Sequence, residues 1–416
     1  MAETKTCVYC GEVRPFTEEH VFPAGLGGDD SRFMLVGLVC GDCNTRVFGP
    51  LERELMRNSP TAVARQFLMT NARRDGGAPN PPTLQTDLIE IFDPSTQLAL
   101  EAELLAGGKP ILRPQIVFDG DQIPLTGSSE AEIGAFLAAI GGLLGEATRL
   151  IVKQGQGDGS TFEITEFTWD GTRYNRTGMA TQSRPPTGIW HTELVVPANA
   201  KPGARYASRL FQRSQGQLLL RALPTDDPGA LLTKARILNP EMVAASLPPS
   251  LSIERPEMHM RLGMNIFHAN RAVAKIGVNH ACFEYGDGLV RSAGFAGIKA
   301  AILTGTPEIH PLPWNDPQVQ TIFSADKRQV HLVLLWPDQR TVGTFDLVYG
   351  LRLFGTPFQG LILAQGVPLP QNTSPTVYVI HYENHRIERL SLVDYLGSVI
   401  VGPMILENQT RSPLLE

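Results

Sequence analysis

No apolar stretch in this chain of 416 residues approaches the roughly 18 consecutive positions that a membrane-spanning helix needs. The start, Met1 to Thr6, has neither the basic flank nor the apolar segment of a secretory leader, so the expected address is the cytoplasm, with no membrane partner. Cysteine is scarce: of the five present, four fall in two close pairs, which excludes the disulfide framework of a small secreted scaffold. Basic charge is not in excess, because 36 Lys and Arg stand against 42 Asp and Glu for a net charge of −6. Any contact with nucleic acid must therefore be local. There is no P-loop, no dinucleotide-binding glycine pattern, no internal repeat and no low-complexity tract. With 42% apolar and 19% charged residues, the composition is that of an ordinary globular protein with core enough for two or three domains.

What is present concentrates in the first fifty residues. Cys7-Val8-Tyr9-Cys10 and Cys40-Gly41-Asp42-Cys43 bracket Glu19-His20-Val21-Phe22-Pro23 and lead directly into Asn44. Each C-x-x-C turns two thiolates toward one point, and four thiolates saturate a tetrahedral zinc, leaving no open position for chemistry. Such a zinc is a structural staple. The two pairs are separated by the twenty-nine positions from Gly11 to Val39, more than a plain zinc ribbon uses, and Glu19-His20 is what the extra length carries. The simpler alternative is a zinc knuckle that only holds an N-terminal module together or docks on a partner.

The ordered run Cys7-x-x-Cys10-Gly11, Thr17-Glu18-Glu19-His20-Val21-Phe22-Pro23, Leu26-Gly27-Gly28, Cys40-x-x-Cys43-Asn44 and Phe48-Gly49 resembles an HNH endonuclease, in the branch whose ββα-metal site is tied by a four-cysteine zinc. The resemblance covers roughly residues 5 to 57. It implies that Glu19 is a metal ligand, His20 the general base that takes a proton from water, and Asn44 the second ligand of a divalent cation. Two metals with separate tasks follow: a structural zinc on Cys7, Cys10, Cys40 and Cys43, and a catalytic magnesium or manganese on Glu19 and Asn44.

The chemistry asks for the same residue types. Phosphodiester hydrolysis needs a deprotonated water, and imidazole is the side chain whose ordinary titration lies nearest neutrality. A hard cation on carboxylate and amide oxygens would neutralise charge on the phosphate, and oxygen ligands favour magnesium or manganese over zinc. The chain departs from the family pattern at Asn44, where most members carry histidine, and at the family's middle asparagine, where Phe33-Met34-Leu35-Val36-Gly37 offers no counterpart. The fixing of His20 must then pass to another group. Glu52 is a candidate further carboxylate, set against the plainer reading of an exposed helix residue. Asn44 has a competing role as a helix cap.

Charge in this module is balanced, with nine basic and nine acidic residues through Arg74. Arg46, Arg53 and Arg57 follow Asn44 on the expected helical arm, and the spacing of four puts Arg53 and Arg57 on one face. They are candidate phosphate contacts, or a solvated helix face.

Local patterns predict strands at 20–23 and 35–39 joined by Gly27-Gly28-Asp29-Asp30, then an arm from Asn44 through Met56, broken or kinked at Gly49-Pro50. Ser59-Pro60 restarts a helix. Residues 73–82, rich in Gly and Pro, are the best domain boundary. Strands are expected over 88–92 and 98–104. Ser129 with Glu132 makes a capping box for a core helix running to Lys153. Strands return over 161–170 and 187–197, with Trp169 and Trp190 read as core residues. Prolines dominate 224–256. Two helices follow, over 266–283 and 295–304, the second closed by Gly305. On the first, His280 lies on the apolar stripe and reads as a core histidine, while Ala274-Lys275-Ile276 resembles a feature of long HNH proteins of this branch. Cys282 is expected to be a buried inert thiol. Beyond Pro311 the pattern is β-rich, 329–336 being the central strand, and His381 and His385 read as solvated.

The expected class is α+β: a small N-terminal ββα-metal module over 1–75, followed by a large mixed α+β region rich in antiparallel strands. That region divides into 83–255 and 256–416, or forms one regulatory body. The resemblance implies an endonuclease hydrolysing DNA, with RNA left open as substrate, a protein partner or activating ligand on the C-terminal region, and oligomerisation not excluded. A nuclease fused to such a body resembles bacterial antiphage effectors. The competing reading keeps the zinc and drops catalysis, making the chain a nucleic-acid- or protein-binding subunit.

Overall fold

The first sheet is formed by residues 16–20 and 34–40, its first strand lying ahead of the 20–23 that the local pattern predicts. In the computed structural model, which describes residues 5–29, 31–70, 82–84, 88–155, 160–198, 200–213, 216–245, 257–313 and 317–401, Phe16–His20 (β1) pairs antiparallel with Met34–Cys40 (β2). Phe16 lies opposite Cys40 and His20 opposite Met34. The register slips once, so that Val36, Gly37 and Leu38 face Glu18 alone. Gly37 adopts φ +67° there, a conformation glycine takes without strain.

From Asp42 to Asn58 the chain is helical throughout: Asp42–Phe48, Gly49–Arg53 (α1) and Glu54–Asn58. The break expected at Gly49-Pro50 does not occur. Hydrogen bonding tightens there from i→i+5 to i→i+4, and Pro50 falls in the first turn of α1, where its missing N–H is least needed. Leu51 and Leu55 are buried, as their spacing implies. Ser59 then caps Pro60–Leu68 (α2), its hydroxyl accepting the N–H of Thr61 at 3.1 Å.

One compact unit comprises residues Asp87–Leu105 and Lys109–Arg261. Leu88–Phe92 (β3), Ala99–Leu104 (β4) and Pro110–Leu112 (β5) belong to a four-stranded antiparallel sheet completed by Glu257–Arg261. Gln115–Phe118 (β6), Leu125–Thr126 (β7), Ala147–Gln154 (β8), Thr161–Trp169 (β9), Tyr174–Gln182 (β10), Ile189–Glu193 (β11), Ser208–Gln212 (β12) and Leu218–Ala222 (β13) form an eight-stranded sheet in the order β10-β9-β8-β11-β13-β12-β6-β7. Helices Glu130–Leu143 (α3) and Pro228–Ala244 (α4) contribute Phe136, Ile140 and Leu232 to its core.

One expectation fails in this unit. The helix that Ser129 caps ends at Leu143 rather than at Lys153, and 147–154 become β8. Gly141, Gly142 and Gly145 weaken the helix, and Thr148, Ile151 and Val152 are β-branched, so the apolar residues beyond Leu144 are better placed in a sheet. The stretch 224–256 is not merely proline-rich: Asp227 caps α4 through the N–H of Ala230 at 2.9 Å, and Pro228 sits in its first turn.

The other unit unites 1–86, 106–108 and 262–416. After Glu257–Arg261 (β14) come Ile266–Tyr285 (α5), Asp287–Val290 (α6), Ala296–Thr304 (α7), Leu312–Pro313 (β15), Pro317–Ala325 (α8), His331–Thr341 (β16), Thr344–Arg352 (β17), Gln359–Pro368 (β18), Thr376–His381 (β19), Arg386–Ser391 (β20) and Leu392–Leu396 (α9). The six strands from β15 to β20 form a sheet in the order β15-β18-β17-β16-β19-β20, with the apolar β16 inside. Gly305 closes α7 in the left-handed conformation at φ +86°. Phe22, Leu26, Val39 and Leu51, from the stretch read above as a module of its own, pack in the same hydrophobic cluster as Ala272, Ile276, Tyr349 and Tyr378 of α5 and this sheet. The proposed boundary over 73–82 lies, except for Pro82, outside the described residues. His385, expected in solvent, is buried, and its Nδ1 lies 3.2 Å from the carbonyl of Gly28. Cys282 is buried as expected, and burial raises its thiol to about 12. Among the described residues no helix is long and apolar enough to cross a membrane.

Candidate functional site

The two cysteine knuckles converge. Gly11 closes the first at φ +74°, its N–H reaching the carbonyl of Cys7 at 2.9 Å, and Cys40 donates its N–H to the sulfur of Cys7 at 3.5 Å. Cys7 and Cys43 sulfurs lie 3.9 Å apart, Cys10 and Cys40 sulfurs 3.8 Å, and all four fall within 4.8 Å of one another. Four sulfurs at tetrahedral angles about 2.3 Å from zinc would stand about 3.8 Å apart, so the cluster is compatible with zinc. The Cys43 thiol beside Cys7 lowers the latter to about 4, while Cys43 itself is raised, so the pair presents a thiolate, the form zinc takes. Among the described residues, no other group of three or more His, Cys, Asp or Glu side chains converges in this way.

The cysteine cluster brings the first knuckle to the end of β2 and the start of the helical arm, and Asn44 ties that arm to β1. Its Nδ2 donates to the carbonyl of Glu18 at 2.9 Å and to Oγ1 of Thr17 at 3.1 Å. The residue after the fourth cysteine is thus tied to the strand that ends in Glu19-His20. At the other end of that strand the Leu26-Gly27-Gly28 turn is closed tightly: a Cβ on Gly27 would stand 2.4 Å from the Cα of Tyr382, and one on Gly28 would stand 2.1 Å from the carbonyl oxygen of Phe22.

Glu19 and His20 differ in environment. His20 is half-buried, whereas Glu19 is buried at 4% exposure. Glu19 is ion-paired to Lys275 of α5, and its Oε1 accepts from Nδ2 of Asn279 at 2.9 Å. The same Nδ2 lies 2.8 Å from the carbonyl of His20, and the hydroxyl of Tyr9 donates to Oδ1 of Asn279 at 2.5 Å. Glu52, the candidate further carboxylate, faces the same ammonium, 2.5 Å from Nζ of Lys275. Burial alone would lower the Lys275 ammonium, but Glu19 and Glu52 more than reverse this and leave it raised. Burial raises Glu19, an effect Lys275 partly offsets and Glu52 reinforces. Burial, with Glu19 adding to it, holds the Tyr9 phenol far above its ordinary value, so it stays a donor.

No protein-family model, no curated protein and no solved structure matches this chain. Its chemistry is therefore read from the side chains. Glu19 and His20 end β1, and Asn44 is bonded to Thr17 and Glu18 of the same strand, acting on it through a nitrogen donor. A divalent cation on Glu19 and Asn44 does not fit these side chains as they stand, because Glu19 Oε1 is shared between an ammonium and an amide and Asn44 turns its donor to β1. Arg46 pairs loosely with Asp42 at 3.8 Å, with its side chain 80% exposed, and Arg53 and Arg57 are exposed on the same arm.

Asn279 and Tyr9 escaped the sequence reading, and so did the role of Lys275, which was noted only within Ala274-Lys275-Ile276. A signal existed for two of them: Lys275 and Asn279 stand four apart within the apolar stretch of α5, where a buried lysine demands an acid. Nothing local said which acid.

Proposed function

We propose that residues 5–58 form an HNH-type ββα-metal endonuclease site that hydrolyses phosphodiester bonds of DNA, with His20 as the general base and the four cysteines holding a structural zinc. The observation that carries this reading is the 2.9 Å hydrogen bond from Asn44 to the carbonyl of Glu18, which ties the helix after the zinc cluster to the strand bearing Glu19-His20. His20 remains half-exposed at the end of that strand, and Arg53 and Arg57 are exposed on the helical arm, as phosphate contacts would have to be. No step of the proposal runs through a bound magnesium or manganese.

The test is cleavage of supercoiled plasmid, and of labelled DNA and RNA strands, by purified protein in magnesium, in manganese and in chelator. Wild-type protein is expected to nick DNA, and His20→Ala to lose about 10²-fold or more of that rate with an unchanged melting temperature. Equal nicking by His20→Ala would remove the assignment. The ammonium of Lys275 against Glu19 favours a second reading, a nucleic-acid-binding subunit without catalysis. Retardation of DNA in a gel with no cleavage under any of these conditions would select it.

A further inference from the structure

Asn279 makes a three-way junction that neither strand nor helix geometry requires. Its Nδ2 bridges the carbonyl of His20 at 2.8 Å and Oε1 of Glu19 at 2.9 Å, and its Oδ1 accepts from Tyr9 at 2.5 Å. Asn279 is completely buried, and Tyr9 and Glu19 nearly so. An amide can face either way unless its partners decide, and here they decide. The carbonyl of His20 and the carboxylate of Glu19 can only accept, so they take the nitrogen end of the amide and leave its oxygen to the Tyr9 hydroxyl, which also lies 3.3 Å from the carbonyl of Lys275. Tyr9 lies between Cys7 and Cys10, so the oxygen end of the amide is held from inside the cysteine knuckle. One helical turn earlier, Lys275 lies between Glu19 and Glu52.

We infer that Asn279, held at its oxygen end by Tyr9, is the positioning residue of His20: it clamps the main chain at the base and the carboxylate beside it, and α5 is thereby part of the nuclease site. This inference rests on the nuclease reading above. A clamp on the main-chain carbonyl fixes the direction in which the following and preceding side chains leave the strand. It does so without touching substrate. Loss of such a clamp lets the imidazole shift by a fraction of an ångström or more, and a misplacement of about 1 Å is enough to cost about 10²-fold in rate.

The experiment compares wild type, Asn279→Asp, Asn279→Leu and Tyr9→Phe as full chains. Cobalt(II) substituted at the four cysteines, read by its thiolate absorption, and the melting temperature report whether the fold is kept. Asn279→Asp keeps shape and loses the donors; Asn279→Leu loses both ends of the amide; Tyr9→Phe keeps the amide and loses only the donor at its oxygen. The expected result is a kcat lower by about 10²-fold for both Asn279 variants and by a smaller factor for Tyr9→Phe, with KM for DNA unchanged. The NMR cross-peaks of the His20 ring, assigned by their loss in His20→Ala, are expected to move in all three. Wild-type kcat together with unmoved His20 cross-peaks in Asn279→Asp or Asn279→Leu would overturn the inference and leave the nuclease reading standing. If wild type cuts nothing, the nuclease reading falls, and the His20 cross-peaks alone decide whether Asn279 positions that ring. Should one Asn279 variant fail to take up cobalt, the other and Tyr9→Phe carry the comparison.

Discussion

The side-chain amide of Asn279 lies 2.8 Å from the main-chain carbonyl of His20, although 259 positions separate the two residues in sequence. The N-terminal hairpin is therefore finished by a helix distant from it in sequence. The same helix supplies Lys275 to Glu19 and Glu52. Several measurable consequences attach to these contacts.

Lys275→Met should be among the most damaging single changes. Lys275 is completely buried, and without its ammonium Glu19 is left as an uncompensated buried acid beside Glu52. Removing one partner of a buried pair costs about 3 to 5 kcal/mol. Urea unfolding measures it. The double change with Glu19→Gln should recover part of the loss, since neighbours in one network do not add. Simple additivity would show that the pair contributes nothing.

Zinc removal should release the core and not only the knuckle. Cys7, Cys40 and Cys43 belong to the same hydrophobic cluster as Ala272 and Ile276 of α5, so metal binding and folding are coupled. Purified protein should release zinc to a chromogenic chelator, with a fall in melting temperature, and Cys40→Ser should reproduce that fall. A chain purified without zinc, or a Cys40→Ser variant that melts like wild type, would contradict the staple.

Acid should weaken the fold through two buried histidines. Burial lowers His280 to about 4, with the nearby Lys275 adding to the effect and Glu284 opposing it; burial lowers His331 to about 3. Both are neutral when folded. Below about pH 6.5, where an unfolded histidine takes up a proton, the unfolded state binds protons that the folded state refuses. Stability therefore falls as pH drops from about 6.5 toward the folded values, by about 1.4 kcal/mol per pH unit for each histidine. Urea midpoints at pH 7 and pH 5 measure the slope, and equal midpoints would sink this account.

Arg53 and Arg57 can be tested apart from stability. Both are exposed on the helical arm. Replacing both with Gln should weaken DNA binding across sequences and reduce the slope of log affinity against log salt by about 2. Fluorescence anisotropy over a salt series gives that slope. If it does not change, the two arginines are a solvated face.

Much of the local structure was legible because its causes are local. The two C-x-x-C pairs, the glycine turn between them, Ser59 before Pro60, Ser129 before α3, the apolar stripe of α5 and Gly305 after α7 each act within a few residues. The reading failed where an apolar pattern suited two structures. Ala147 to Ile151 continues the stripe of a helix and equally fills a strand, and only the neighbouring strands β9 and β11 decide for the strand. It made no assignment at α4, where Pro228 opens a helix within a proline-rich stretch.

The sequence by itself determined a four-cysteine cluster, a hairpin carrying Glu19-His20, and an arm beginning at Asn44, because spacing and turn chemistry act over short range. Tertiary structure alone decided that α5 closes this site, that Lys275 answers Glu19 and Glu52, and that Asn279 holds His20. A buried lysine or amide declares that it needs a partner, since leaving it unpaired is costly. Which partner it finds depends on how helix and hairpin pack, and that is set by the shared apolar core and not by any pattern along the chain.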